Sequence, residues 1–228
     1  MYSKLGYEVL ENALSIETVD ALLNRLDYYE SNPELFEREL EFQYDTKNGE
    51  KKVKKMRGLH LVDPEYWSPL WKNDRIQAFL KNNFKEEIKV AFCAAFMKPK
   101  GIGTRIPYHQ DQALWAKEYP NAVSCWYALD EATSENGCLI FSEGSHLEGL
   151  LTHEQAPDLD HLEVKKEILD KYPRKEIPLK PGNAVVWDRF LIHGSNANQS
   201  SKPRRGVVVV FAPGHLLSSK HPIAWTPS

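Results

Sequence analysis

A chain of 228 residues, 42% of them hydrophobic and 11% aromatic, can bury a sizeable core as one large domain or two small ones. A net charge of −3 argues against a general nucleic-acid binder, and no run of about 18 apolar residues is present to span a membrane. The opening stretch MYSKLGYEVLENA lacks the apolar segment of a secretory signal, and Cys93, Cys125 and Cys138, with no CxxC pair, read as reduced core thiols, so a cytoplasmic location is expected.

The N-terminal third reads as mainly helical. In SIETVDALLNRLDYYES, the residues Ile16, Val19, Leu22, Leu23 and Leu26 share one helical face, with Ser15 as N-cap. A second helix fits NDRIQAFLKNNF, where Ile76, Phe79, Leu80 and Phe84 line up. Between them, Asn48-Gly49 marks a hairpin turn inside the basic run Lys47–Arg57, which reads as a solvated hairpin.

From about residue 88 the texture changes. Short strand-like runs follow one another: IKVAFCAAFMK, AVSCWYALD, CLIF, EIPLK, AVVWDR and GVVVVFA. Turn signals at Pro99-Lys100-Gly101, Glu135-Asn136-Gly137 and Pro181-Gly182-Asn183 separate them. The runs are too closely spaced to alternate with helices, so a parallel βαβ fold is not expected. A mainly β sandwich or jelly roll with flanking helices is. Residues 147–175 interrupt the rhythm. They are polar, carry Pro157 and Pro173, and are expected to hold one helix around His161–Tyr172 and to serve as a lid.

The stretch PYHQDQALW, residues 107–115, carries the chemistry. His109 and Asp111 are two apart, and on an extended chain such a pair projects to one side. That suits a metal ion and equally an ordinary surface strand. The third ligand is His193, in VVWDRFLIHGSNAN. Two neutral imidazoles and one carboxylate hold a divalent ion, leave it cationic and leave open positions for other ligands, as in non-haem Fe(II) sites. A fourth protein ligand, as in a closed structural zinc site, would obstruct those positions.

Arg204 follows, entering the apolar run Val207–Phe211. A buried guanidinium requires an anion, and it grips a carboxylate through two parallel hydrogen bonds. Ser195, two residues after His193, is placed to add its hydroxyl to the same anion.

HxD at 109–111, then His193, Ser195 and Arg204, resembles the iron(II)/2-oxoglutarate-dependent oxygenases of the phytanoyl-CoA dioxygenase family. SCWYALDEATSENGCLIFSEGSH at 124–146 and KPGNAVVWDRFLIHGSNAN at 180–198 add to the resemblance, which covers residues 88–213 closely and the N-terminal region more loosely. It implies a double-stranded β-helix, a cupin-like jelly roll, as one domain over residues 1–228, with residues 1–87 largely helical and the core at residues 88–213. It implies that His109, Asp111 and His193 ligate Fe(II) and that 2-oxoglutarate chelates the metal, its far carboxylate on Arg204 and Ser195. Trp126 would line the cosubstrate pocket. Lys54, Lys55 and Arg57 are alternatives for an upstream cosubstrate contact. Decarboxylation of 2-oxoglutarate to succinate and CO₂, with O₂, would drive oxidation of an unactivated C–H bond in a small molecule. Related halogenases have a small residue where Asp111 stands, so hydroxylation, desaturation or ring closure is expected here.

Gln112, Trp115, His146 and Arg105 are further candidates to face substrate; each also has a plain structural role open to it, as core filler, turn cap or surface charge. Trp187 reads as packing. Two other readings compete. A cupin-like hydrolase or isomerase would use zinc or manganese on the same three ligands and have no need of Arg204. A non-catalytic scaffold would not need the complete triad.

Overall fold

The computed structural model describes residues 2–115 and 121–227. Its strands, in chain order, are β1 (Tyr7–Leu10), β2 (Glu41–Lys47), β3 (Glu50–Arg57), β4 (Ile88–Lys98), β5 (Ile106–His109), β6 (Val123–Ala128) and β7 (Leu139–Ser142). There follow β8 (His153–Gln155), β9 (Leu162–Val164), β10 (Arg174–Ile177), β11 (Ala184–Asp188), β12 (His193–Ser195), β13 (Arg204–Pro213) and β14 (Ile223–Trp225).

They form a jelly roll of two antiparallel sheets. The larger has the order β1-β11-β6-β13-β4-β3-β2, with β14 added to β4. The smaller has the order β10-β7-β12-β5 and lies against it, while β8 and β9 make a separate hairpin. Alternation along the central strands divides the core in two. Cys125 and Tyr127 of β6, with Val207, Val209 and Phe211 of β13, point to the helices outside the larger sheet. Trp126 and Ala128 point the other way, into a layer shared with Phe141 and Trp187 between the sheets. A strand covered on both faces reads as a continuous apolar run, which is why these segments stand out in the sequence.

The helix Ile16–Ser31 starts where expected, with Ser15 Oγ accepting from the Thr18 N–H at 3.2 Å. Its buried face is Val19, Leu22, Leu26 and Tyr29, whereas Ile16, the first residue of the helix, is 56% exposed. The helix Asp74–Asn83, capped by Asn73, buries Ile76, Phe79 and Leu80. At Asn48-Gly49 both residues have positive φ (53° and 82°), as a tight two-residue hairpin loop requires.

Three expectations need correction. The N-terminal region carries the expected helices and hairpin, but the sheet is not confined to residues 88–213: β1, β2 and β3 all join the larger sheet, and β3 pairs with β4 across the boundary at residue 87. The 147–175 insertion contains the β8–β9 hairpin, and its only described helix is the four-residue turn Lys166–Leu169. Short polar strands carry no apolar alternation to reveal them. Finally, His109 ends β5 but Asp111 opens the short helix Asp111–Trp115, so strand alternation does not orient this pair. The three cysteines are free and buried, and among the described residues no helix is long and apolar enough to cross a membrane.

Candidate metal centre

The smaller sheet brings the two histidines together. β12 runs antiparallel between β5 and β7, and His193 stands opposite His109 in register. Their rings lie 4.2 Å apart between centroids. The strand-to-helix turn at Gln110 then swings Asp111 across, with its Oδ1 at 3.7 Å from His109 Nε2 and 3.6 Å from His193 Nε2. The three ligand atoms lie within 4.8 Å of one another, and all three side chains are buried.

The surroundings fix which atom each side chain presents. His109 Nδ1 lies 2.8 Å from the Pro107 carbonyl and His193 Nδ1 lies 2.9 Å from the Leu191 carbonyl. A carbonyl only accepts, so both bonds require the proton on Nδ1 and leave the Nε2 lone pairs facing Asp111. The carboxylate is held in the same way. Its Oδ2 accepts from the Ser124 hydroxyl at 2.6 Å and from the Trp187 indole N–H at 3.0 Å. Oδ1 is left toward the imidazoles. Burial, and next His193, hold the His109 imidazole below its ordinary value. Burial alone would push Asp111 up, but the neighbouring His193 and His109 rings and the bond from the Ser124 hydroxyl outweigh it and keep the carboxyl below the ordinary carboxylate range. Neutral nitrogens and an ionised oxygen are the forms that bind a metal.

Gln110, between His109 and Asp111, is fully buried and ties the turn to its neighbours. Its amide donates to the Gly149 and Phe190 carbonyls at 2.8 and 2.6 Å and accepts from the Leu151 N–H at 2.8 Å. One side chain thus joins the His109–Asp111 turn to the start of the insertion and to the loop before β12. The β8–β9 hairpin leans on the same place: His161 meets His109 edge to face at 4.5 Å, and His153 Nε2 accepts the Gln110 N–H at 3.1 Å.

Deeper between the sheets lies a second group. Arg204 is 3% exposed, and its guanidinium donates to the Gly137 carbonyl from Nε at 3.2 Å and Nη2 at 2.8 Å. It stacks over Trp126 at 4.8 Å. Among the described residues no carboxylate lies within ion-pair distance of it, and burial pulls it down to about 10. Trp126 lies flat across β13 because residue 206 is glycine: a Cβ there would come within 2.2–2.5 Å of the indole. Ser195 Oγ and Trp126 Nε1 are buried with no hydrogen-bond partner among the described residues. A buried cation stacked on Trp126, with these unpaired polar atoms, can serve as a socket for an organic anion.

Of the three basic residues upstream, Lys54 pairs with Asp45 at 3.5 Å and Arg57 with Glu41 at 3.6 Å. Lys55 stands opposite Phe96 in register, its amine over the Phe96 and Phe92 rings at 4.8 and 5.6 Å, and its field reaches His161. Burial holds that amine below the ordinary lysine value. Lys55 and Arg57 thus both lie over the Phe92 ring, and of the two only Lys55 has no acid at ion-pair distance among the described residues.

The remaining sequence candidates divide. Trp115, four residues past Asp111, packs, like Phe92, Val208 and Leu217, against the buried cluster Ala91, Ala122, Val210 and Ala212, and Gln112 donates its backbone N–H to the Arg189 carbonyl at 3.1 Å. His146 lies elsewhere: its ring packs on Gly6 and reaches the Ser3 carbonyl at 3.3 Å. Arg105 is neutralised by Asp158 and Glu163 at 2.5 and 3.0 Å, so it anchors the insertion. Ser124, Gln110 and His161 take roles here that no motif in the sequence assigns them. Only the histidine content of the insertion hints at the last.

Comparison with known proteins agrees with this architecture. The family model for phytanoyl-CoA dioxygenase (PhyH) matches residues 2–206. An ectoine dioxygenase of Bordetella bronchiseptica is 27% identical over 228 residues, spanning 92% of this chain and 72% of that protein. A phytanoyl-CoA dioxygenase domain-containing protein 1 homolog of Caenorhabditis briggsae is 28% identical over 162 residues. That match covers 67% of this chain and 56% of the worm protein. The crystal structure of EctD from S. alaskensis with 2-oxoglutarate and 5-hydroxyectoine has the same fold, with a TM-score of 0.74 at 22% identity. That superposition covers 93% of this chain and 73% of EctD.

Proposed function

The chain belongs to the phytanoyl-CoA dioxygenase family of iron(II)/2-oxoglutarate-dependent oxygenases, and on that premise we propose that it oxidises a C–H bond of a small organic molecule at the centre built by His109, Asp111 and His193. The observation that carries the reading is the pairing of two sites, a three-ligand triad and a buried arginine with no acid at ion-pair distance among the described residues.

The residues present fit the two groups the family uses. Two Nε2 lone pairs and one carboxylate oxygen form a three-point set that occupies one side of an ion. Arg204, Ser195 and Trp126 offer a guanidinium and two unpaired buried polar atoms to a carboxylate. When bound, iron(II) and 2-oxoglutarate supply the oxidising power from O₂, with release of succinate and CO₂.

The chain's own residues hold and orient. The Pro107 and Leu191 carbonyls keep both imidazoles in the metal-binding tautomer. Ser124 and Trp187 keep Asp111 turned so that one oxygen is offered. Arg204 would hold and neutralise the far carboxylate of the cosubstrate, and Lys55 would add a cation on the β3 side. Phe92, Trp115 and Val208 give the substrate an apolar wall, and the β8–β9 hairpin covers the His109 edge and keeps water from it. Asp111 fills the third ligand position, so hydroxylation is the simplest outcome. A zinc hydrolase on the same triad would leave Arg204 and Ser195 without a use.

The test is a panel of small organic acids, amino acids and esters, with Fe(II), 2-oxoglutarate and O₂, scored for stimulated succinate and for a product heavier by one oxygen atom. A substrate should do both, and His109→Ala or Asp111→Ala should abolish both while circular dichroism shows a folded protein. Iron-loaded protein that gives no charge-transfer absorption with 2-oxoglutarate would defeat the proposal.

A further inference from the structure

Above Phe92 the wall of the site changes character. The Arg57 guanidinium lies over the Phe92 ring at 5.1 Å, and Phe92 packs against the same buried cluster, Ala91, Ala122, Val210 and Ala212, as Trp115 and Leu217. Three residues after Arg57 comes His60, which is 4% exposed and has no partner at either ring nitrogen among the described residues. Its ring faces that of His221 at 5.7 Å. The charged and titratable groups whose fields reach His60 are His221, Lys220 and Arg57; none is a carboxylate. The acids nearby are engaged from the rim: Glu41 meets Arg57 at 3.6 Å where both are more than half exposed, and Glu87 meets Lys89 at 3.6 Å.

A buried imidazole with two unpaired nitrogens costs folding free energy. Such a group is expected where a ligand completes it. We infer that the corner formed by His60, Arg57 and His221 binds an oxyanion carried by the substrate, a carboxylate or a phosphoryl group, so that the molecule oxidised here is an organic anion. The assignment rests on the oxygenase reading in taking this mouth as the substrate's entrance. Arg57 offers two parallel N–H donors and the permanent charge, and Lys220 adds charge at the rim. His60 offers a neutral N–H, because burial and the neighbouring cations hold its imidazole down at about 4. Its anion is thus bound at the end of an apolar wall that starts beside the metal ligands, and the far end of the molecule is directed at the triad.

The experiment reads the His60 ring directly. Protein with 2-oxoglutarate and diamagnetic zinc is titrated with inorganic phosphate and, separately, with acetate, against chloride at equal ionic strength. The imidazole C2-proton resonance, assigned by its loss in His60→Gln, should move saturably with one or both anions, and the stronger response identifies the group. Arg57→Gln, a change at an exposed position, should abolish the shift. A response no larger than with chloride, or one unchanged in Arg57→Gln, overturns the inference. In the oxygenase assay, acids should exceed their own amides in kcat/KM, and Arg57→Gln should narrow that preference by roughly ten- to a hundred-fold. Equal turnover of acids and amides overturns the anion corner and leaves the oxygenase reading intact. Failure to bind iron with 2-oxoglutarate, while the phosphate or acetate shift persists, does the reverse.

Discussion

The indole N–H of Trp187 donates to Oδ2 of Asp111 at 3.0 Å, across 76 residues of chain. With Ser124 on the same oxygen at 2.6 Å, it decides which face of the carboxylate meets the two imidazoles. Trp187→Phe keeps the ring and removes the donor. We expect iron(II) affinity to fall by roughly ten- to a hundred-fold with little change in fold, the usual effect of losing a ligand's supporting hydrogen bond. Titration of Fe(II) followed by quenching of intrinsic fluorescence measures it. Ser124→Ala should act in the same direction, and wild-type affinity in both variants would mean that the carboxylate needs no such support.

Arg204 is buried beside Gly137 and Trp126 with no acid among the described residues at ion-pair distance. Arg204→Met should therefore weaken 2-oxoglutarate binding by at least about 30-fold, as expected when one partner of a buried charge pair is lost. Iron binding should be untouched. Charge-transfer absorption on adding 2-oxoglutarate to the iron-loaded protein separates the two effects, and a 2-oxoglutarate affinity equal to wild type would remove Arg204 from the cosubstrate socket.

Lys98 stands directly opposite Arg204 in the β4–β13 register and is 4% exposed. Its amine donates to the Thr104 carbonyl, and burial, then the charge of Arg204, pulls it down to about 6 despite Asp45. In the unfolded chain the same amine has its ordinary value of 10.5, so between these values the unfolded state binds more protons than the folded one. Stability must then rise with pH, by up to about 1.4 kcal/mol per unit for one proton. Urea midpoints at pH 6.5 and pH 8.5 test this below the range where buried thiols titrate. Lys98→Met should flatten the slope. A dicarboxylate arriving at Arg204 should also favour the charged amine, so 2-oxoglutarate binding at pH 8 should take up protons, read by calorimetry in two buffers of different ionisation enthalpy.

Arg105 ties the β8–β9 hairpin to the start of β5 through Asp158 and Glu163. Arg105→Ala should speed hydrogen exchange across residues 153–164 and leave the central strands protected. A true substrate bound beneath the hairpin should slow exchange there in the wild type. Exchange indifferent to both changes would mean that the hairpin is not a cover.

The helices Ile16–Ser31 and Asp74–Asn83 and the core strands β4, β6, β11 and β13 are legible in the chain because each repeats its burial pattern over several residues. The strands that carry the site are not. β5 and β12 are four and three residues long and hold Pro107, Gly194 and the histidines themselves, so no apolar alternation marks them. His146 and Arg105 share the chemistry of the site residues but not their place. His146 packs on Gly6, and Arg105 is already paired.

By itself the sequence determined the residue types: two histidines and a carboxylate able to hold an open-sided metal ion, and an arginine and a serine able to hold an acid. It also determined the helices and central strands, because local periodicity records local burial. Only the tertiary structure decided that His193 stands opposite His109, that backbone carbonyls fix both tautomers, that Trp187 and Ser124 turn Asp111, and that Lys55 and Arg57 both lie over Phe92. Those relations join groups tens of residues apart. They are set by strand register and sheet packing, and no local pattern in the chain encodes either.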